Sequence, residues 1–481
     1  MSEARKISRR GLLKGGVRAA ASAGLAPLVT GAGSATGSRP NIVLLITDQQ
    51  SATMLSCAGN EYLETPAMDS LARSGTRFER AYAADPVCVP SRFSMMTGLM
   101  PSACGYTDNS SGHRNAVPEE VVKNGLGWLI RDTGYETAYG GKVHLPKGMN
   151  AQNIGFDYFC RDQRDKLAKE CADFIRRDHD KPFFLVGSFI NPHDICYMAI
   201  REHQGKDYNI VKLAEGMKRP EGVSDKEFFA KHCPPLPDNF EVPEREPEAI
   251  DRLLRMREFR IHAREAWSEE MWRWHRWTYC RLTEMVDRQI GQVLRALRES
   301  GKEEDTVVIF VSDHGDHDAA HRMEHKTAPY DESARLPLIV SHKGVTPGGR
   351  VEDTHFVNTG LDLLPTICDY AGVEPSKHLQ GRSARALAEG RRVSTWPDQV
   401  CAESQISRML CTDRWKYCVY YAGKDREQLN DRQKDPGEMV NLAPDPDYRD
   451  VLNEHRRRMY RWMRRVDDRI GLEYVVRPEQ A

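Results

Sequence analysis

Cys88-Val89-Pro90-Ser91-Arg92-Phe93-Ser94-Met95-Met96-Thr97-Gly98 is the stretch on which the reading of this 481-residue chain turns. Pro90 fixes φ and removes a backbone donor, which sets Cys88 at the mouth of a turn. Ser91 has the side chain of a helix N-cap, so a helix is predicted over the residues after it. A group at that corner faces helix N–H dipoles and Arg92, surroundings that favour an anion. The competing reading is a buried structural cysteine on a turn, and the rest of the chain has to decide between them.

Upstream, Thr65, Pro66 and Gly75 read as the cap, first turn and stop of a short helix. A strand over 76–82 then leads into the cysteine stretch. Earlier still, Asn41-Ile42-Val43-Leu44-Leu45-Ile46-Thr47-Asp48-Gln49 is a continuous apolar run, the pattern of a strand buried on both faces. It ends in a carboxylate, where the active sites of open α/β sheets collect.

Downstream, Gly140-Gly141 lets the backbone come close to a neighbour, and Lys142 and His144 follow two apart, on one face of an extended chain. Phe183–Ile190 is another buried strand, followed by Asn191-Pro192-His193. A β-branched strand over 306–312 ends in Asp313-His314-Gly315-Asp316, mirroring the end of the first strand. Two such strand ends can build a mononuclear metal site from distant sequence. A zinc site at the histidines 314, 317, 321 and 325 is disfavoured, because no thiolate or His-Glu-x-x-His pattern accompanies them and the Asp-rich set favours a harder cation.

Residues 197–265 show no clear period and read as an insertion over the active-site face. Trp267, Trp272, Trp274 and Trp277 suit either a sugar face or, preferably, a helix anchored in a core. An amphipathic helix runs over 279–297 with Gly301 as its stop. Residues 408–420 alternate like two short antiparallel strands, and 446–468 form a terminal helix.

The cysteine stretch, with Cys88-any-Pro90-Ser91-Arg92, four free positions and Thr97-Gly98, resembles the motif of the type I sulfatases. Gly141-Lys142-Val143-His144, Pro192-His193, Gly360–Ile367, Gly381-Arg382-Ser383 and Asp435-Pro436-Gly437-Glu438-Met439-Val440-Asn441-Leu442 resemble other elements of that family, in the same order over about 39–445. The resemblance implies an α/β, alkaline-phosphatase-like fold: a large mixed sheet sandwiched by helices (38–385) and a small C-terminal α+β subdomain (386–481). It implies hydrolysis of a sulfate monoester, on a small molecule or a polysaccharide, with a sulfated sugar as the first expectation. Cys88 would be oxidised to formylglycine by a formylglycine-generating maturation enzyme, and its hydrate would attack sulfur in line. Arg92 and Lys142 would hold the hydrate, His144 would take the proton that releases sulfate, and His193 and Lys326 would grip sulfate and assist the leaving oxygen. The metal ligands would be Asp48, Gln49, Asp313, His314 and the modified residue 88, with Ca2+ first and Mg2+ or Mn2+ behind. His321 and Arg335 are further candidates for substrate contact. The sequence departs from the family where Gln49 replaces a usual second carboxylate and His314 a frequent Asn. The alternatives are a phosphodiesterase or phosphonate monoester hydrolase of the same superfamily, and an inactive carbohydrate-binding relative.

Composition adds bounds. Charged residues are 29% and apolar ones 40%, an ordinary globular balance. Residues 1–37 carry six basic side chains against Glu3, and the net charge of −1 leaves the remainder near −6. No basic excess drives nucleic-acid binding by counterion release. Ser8-Arg9-Arg10-Gly11-Leu12-Leu13 followed by an Ala/Gly-rich stretch reads as a twin-arginine signal peptide over 1–37. A twin-arginine translocase is therefore the expected export partner. Lys14 and Arg18 interrupt any span, so no stable membrane insertion is expected after cleavage, and the location expected is periplasmic or extracellular. The twelve cysteines contain no Cys-x-x-Cys pair, and folding before export argues against a disulfide framework.

Overall fold

The apolar run Asn41–Asp48 forms strand β1 at the centre of a sheet, and its alternate side chains supply two separate cores. Ile42, Leu44 and Ile46 join Phe93, Met96, Leu126, Leu364 and Ile367 on one face. Val43 and Leu45 join Leu71, Leu167, Val286, Ile290 and Val293 on the other. Residues 42–46 have no exposed surface at all, and burial of each such side chain contributes roughly 1.5–3 kcal/mol. A strand flanked by helices on both faces needs the unbroken apolar run that the sequence has. These coordinates are a computed structural model that describes residues 39–114, 116–205, 211–374 and 379–477. The twin-arginine segment lies outside the described residues.

The other strands are β2 (Thr76–Phe78), β3 (Ala81–Tyr82), β4 (Glu136–Gly141), β5 (Asp157–Cys160), β6 (Phe183–Pro192), β7 (Thr306–Ser312), β8 (Leu338–His342), β9 (Arg350–Glu352), β10 (Val357–Asn358), β11 (Val400–Glu403), β12 (Ser407–Cys411), β13 (Trp415–Tyr420) and β14 (Glu427–Asp431). The main sheet has the order β5-β4-β6-β1-β7-β8-β2-β9. From β5 to β7 all neighbours are parallel, whereas β8 runs antiparallel to β7 and β2. Asp48 pairs in register with Pro192, Thr47 with Ser312, and Gly141 with Ser188. The carboxyl ends of β4, β6, β1 and β7 therefore finish side by side at one edge.

The helix expected over 279–297 runs from Glu269 to Glu299, with the Ser268 hydroxyl accepting from the Met271 N–H at its start. The tryptophans lie at its beginning: Trp272 packs against Phe240 and Trp267, and Trp277 against Phe228, so they serve a core. The described residues of 197–265 hold more regular structure than the sequence suggests. They contain the helices Cys196–Gln204, Val211–Gly216, Glu248–Arg255 and Glu258–Ala266. The short antiparallel pair expected after residue 385 is a four-stranded sheet, β11 to β14, covered by the helix Arg449–Val466 through Leu452, Met459, Trp462 and Met463. Buried Arg408 holds Asp468 at 2.5 and 2.9 Å, stapling that sheet to the segment after the helix.

Candidate active site

The helix around the cysteine starts earlier than its sequence suggests. It spans Cys88–Thr97, and extended Val87 is the N-cap with no side-chain cap bond. Ser91 is not the cap but an interior residue, whose hydroxyl donates to the Asp313 carbonyl at 2.5 Å. Cys88 thus occupies the first turn, where unpaired N–H groups favour an anion. Close packing fixes this helix. A Cβ on Gly360 would lie 2.5 Å from the Ala84 Cβ and 2.6 Å from that of Ser94, so only glycine lets the helix Thr359–Ala371 approach.

Four strand ends deliver the remaining groups. Asp48 closes β1, Lys142 and His144 follow β4, His193 follows β6, and Asp313 and His314 follow β7. Asp48, Cys88, Asp313 and His314 offer ligand atoms that all lie within 4.8 Å of one another. The Cys88 sulfur is 3.2 Å from His314 Nε2, 3.1 Å from Lys326 Nζ and 3.9 Å from Asp48 Oδ1. Lys142 Nζ is 2.5 Å from Asp48 Oδ2, and His193 Nε2 is 3.9 Å from Asp48 Oδ1. Arg92 binds both carboxylates, through Nε to Asp313 at 2.7 Å and through one terminal nitrogen to Asp48 at 2.9 Å. Its other terminal nitrogen donates to the Ser188 hydroxyl and the Lys142 carbonyl.

Charge balance explains the protonation tendencies. Burial opposes ionisation of Cys88, but Lys142, Lys326, His314 and His144 outweigh it and hold the thiol well below its usual range. Asp48 is likewise held low against burial and the Cys88 charge by Lys142, His193 and Arg92. Asp313 moves upward, because burial and the Asp48 charge outweigh His314 and Arg92. Asp48 has Lys142 as well as Arg92, so Asp313 is the carboxylate left short of positive charge. Burial, with Lys142 and Lys326 nearby, lowers His193 to about 4, and burial also lowers His144. Both imidazoles are neutral near pH 7. They are also half-buried beside fully buried Cys88, so they face the approach to it.

Gln49 has positive φ (66°) and sits among other partners. Its side-chain oxygen accepts from Lys326 Nζ at 2.7 Å and from the Cys196 thiol at 2.9 Å, and its amide nitrogen donates to Asp316 at 2.6 Å. Both lone pairs of that oxygen are therefore engaged, one by Lys326 and the other by Cys196. Lys326 arrives on a strained segment: Asp318, Ala319, His321, Arg322, His325 and Thr327 all have positive φ. Such strain concentrates where surrounding structure dictates a side chain's position.

Two candidates are not brought to this centre. His321 is fully buried, stacked on Tyr330 with ring centroids 3.8 Å apart. Arg335 faces Asp331 and Glu79, each 3.6 Å away, so its charge is already answered. Conversely, Ser188, Asp316, Cys196 and Arg260 were not singled out by their sequence. Asp316 had a signal, as the last acid of Asp313-His314-Gly315-Asp316; burial lifts it to about 7. Tyr279, whose hydroxyl donates to the Gln49 carbonyl at 2.6 Å, gave none beyond helical spacing.

Comparison with known proteins agrees with this geometry. Residues 40–373 match the family model described as Sulfatase, and 319–465 match one described as N-sulphoglucosamine sulphohydrolase, C-terminal. A Delta 4,5-hexuronate-2-O-sulfatase of Bacteroides thetaiotaomicron is 29% identical, covering 89% of this chain and 89% of its own. An arylsulfatase of Clostridium perfringens is 29% identical over 86% of this chain and 92% of its own. The solved structure of a 2-O GAG sulfatase superposes with TM-score 0.77 and 28% identity, covering 92% of this chain and 95% of that one.

Proposed function

The chain belongs to the sulfatase family, sulfuric ester hydrolases of the alkaline-phosphatase-like superfamily; from that premise we propose that it cleaves a sulfate monoester on a carbohydrate. The nucleophile is formylglycine made from Cys88, and a divalent metal, Ca2+ first, completes the centre. The observation that carries this reading is the cluster of Asp48, Cys88, Asp313 and His314 within 4.8 Å, ringed by Arg92, Lys142 and Lys326. Two carboxylates, an imidazole and residue 88 form a mostly hard, anionic donor set that suits Ca2+ or Mg2+ better than a thiophilic ion. When bound, the metal supplies positive charge against the sulfuryl oxygens and the attacking oxygen. Gln49 joins this set only by giving up one of its two present donors.

In the mature protein the Cys88 sulfur is replaced by a hydroxyl oxygen of the aldehyde hydrate. That maturation removes the sulfur and two electrons from the side chain, to an external oxidant used by a separate enzyme. Arg92 keeps Asp48 and Asp313 in place for the metal, Lys326 stands 3.1 Å from the side chain of residue 88, and Lys142 stands 2.5 Å from Asp48. His144, neutral at pH 7, takes the proton from the second hydroxyl, so that sulfate leaves and the carbonyl re-forms. His193 is held neutral by burial and by Lys142 and Lys326, and a bound sulfate offsets those cations. It then donates to the leaving oxygen, with Lys326 beside it.

A sugar substrate is favoured by relatives named as a hexuronate 2-O-sulfatase and an N-acetylglucosamine-6-O-sulfatase. Arg260 points the same way. Its half-buried guanidinium lies near Cys196 and Asp316 but forms no ion pair among the described residues, leaving it for an acidic substituent of the sugar. Export through the twin-arginine route to the periplasm belongs to this proposal. Among the described residues no helix is long and apolar enough to cross a membrane. The test is turnover by matured protein of an aryl sulfate and of sulfated uronate and glucosamine saccharides. Cleavage of a phosphodiester or phosphonate ester, with no sulfate released from any of these, would sink the proposal.

A further inference from the structure

A second basic cavity lies apart from the nucleophile, between the catalytic sheet's helices and the C-terminal helix. It encloses about 640 Å³ and takes Arg458, Arg461 and Arg465 from Arg449–Val466, Arg382 from the segment after the helix Thr359–Ala371, and Trp396 from the loop before β11. Its charges are unevenly answered. Arg458 is paired with Asp398 at 2.9 Å and Glu454 at 3.1 Å. Arg461 reaches only Glu454, at 3.7 Å, and its side chain is 69% exposed. Arg382 and Arg465 are exposed and form no ion pair among the described residues. The remaining acid in the wall, Asp362, is pushed up to about 7 by burial, so it opposes this excess with less than a full charge.

A helix C-terminus attracts cations by its dipole, which accounts for Arg464 and Arg465 in the last turn. It does not account for Arg461 one turn earlier, or for Arg382 arriving from another element. Nor does solubility, because the chain outside its first 37 residues is net acidic. Guanidinium groups only partly answered by acids, lining one cavity beside a half-buried indole, match a flexible polyanion whose sugar faces are apolar.

We propose that this cavity is an anchoring site for a stretch of sulfated polysaccharide, distinct from the centre at residue 88. The choice of a sulfated sugar over other polyanions rests on the proposed reaction; the existence of an anion site does not. Anchoring would hold the polymer while the active site works on one of its esters, raising the local concentration of ends or branches.

The test uses the full chain with Cys88 unconverted, so that binding is read without turnover, on heparin and on duplex DNA of similar charge. The result expected is heparin binding that weakens about tenfold in Arg461→Glu/Arg465→Glu and measurably in Arg382→Ala, with DNA bound far less well. Matured versions of the same variants should keep the wild-type kcat/KM on an aryl sulfate and the wild-type Tm, which separates lost anchoring from lost fold. Equal heparin binding by wild type and variants, or no binding by either, overturns the proposal. So does DNA binding as tight as heparin binding. Loss of aryl sulfate turnover in the wild type would instead count against the reaction assigned above, leaving the binding result to be read by itself.

Discussion

Arg92→Lys tests the electrostatic frame of the centre. The guanidinium is 1% exposed and makes four hydrogen bonds: to Asp313, Asp48, the Ser188 hydroxyl and the Lys142 carbonyl. Lysine keeps the charge but lacks the fork, so its ammonium can serve one carboxylate well and leaves the other short of a partner. Hydrogen bonds to charged groups contribute about 1.5–3 kcal/mol each, and breaking a buried pair costs about 3–5 kcal/mol. Retained charge places the expected loss near the lower end, about 3 kcal/mol. Urea denaturation in the presence of a chelator reads this directly. Activity should fall by more than about a hundredfold, because displacement of about 1 Å of either carboxylate misplaces what it holds. A variant that unfolds within about 0.5 kcal/mol of wild type would refute the reasoning, since fully buried Asp48 and Asp313 would then not depend on Arg92 for their compensation.

Other outcomes follow from the same structure. His193→Ala should lower kcat/KM about a hundredfold for alkyl sulfates and clearly less for a nitrophenyl sulfate, whose leaving oxygen needs no proton; equal losses on both would remove His193 from the leaving-group role. Lys416 is 1% exposed between Asp331 at 2.9 Å and Glu438 at 2.6 Å, so Lys416→Met should cost about 3–5 kcal/mol at pH 7. Burial opposes ionisation of Asp331, yet Lys416, Arg432 and Arg335 hold it well below the usual carboxylate range. That contribution is present above the unfolded value near 3.9 and fades as pH falls through the folded one. The variant's carboxylates protonate more easily, so its deficit should narrow between pH 7 and 4 in urea titrations, and a constant deficit would count against the account.

The features legible in the sequence are those that need little tertiary information. β1 and β7 are buried on both faces and read as unbroken apolar runs, β6 is interrupted only by Gly187-Ser188, and the candidate groups stand at the ends of these strands and of β4 because a parallel sheet aligns those ends. Asp48, Lys142, His193 and Asp313 were visible for that reason. The role of Gln49 was not, because it depends on Cys196, Asp316 and Lys326, which only the fold brings near. Ser91 has the composition of a cap but spends its hydroxyl on the Asp313 carbonyl. Glu248–Arg255 does carry a helical period in Ala249, Ile250, Leu253 and Leu254, but over only eight residues, and Glu258–Ala266 buries Ala263 alone. The alternation over 408–420 marks β12 and β13, whereas β11 and β14, buried at every residue but Glu427, carry no such pattern. Arg260 belongs to no motif at all. It becomes informative only when the fold shows it half-buried with no ion pair among the described residues.

The most direct test of the central claim is the mass of the peptide containing Cys88, from protein produced with a formylglycine-generating enzyme, measured beside turnover of an aryl sulfate. The account predicts a peptide lighter by the difference between –CH2SH and –CHO, with activity rising in proportion to the converted fraction. Full activity in protein whose Cys88 is an intact thiol would contradict it.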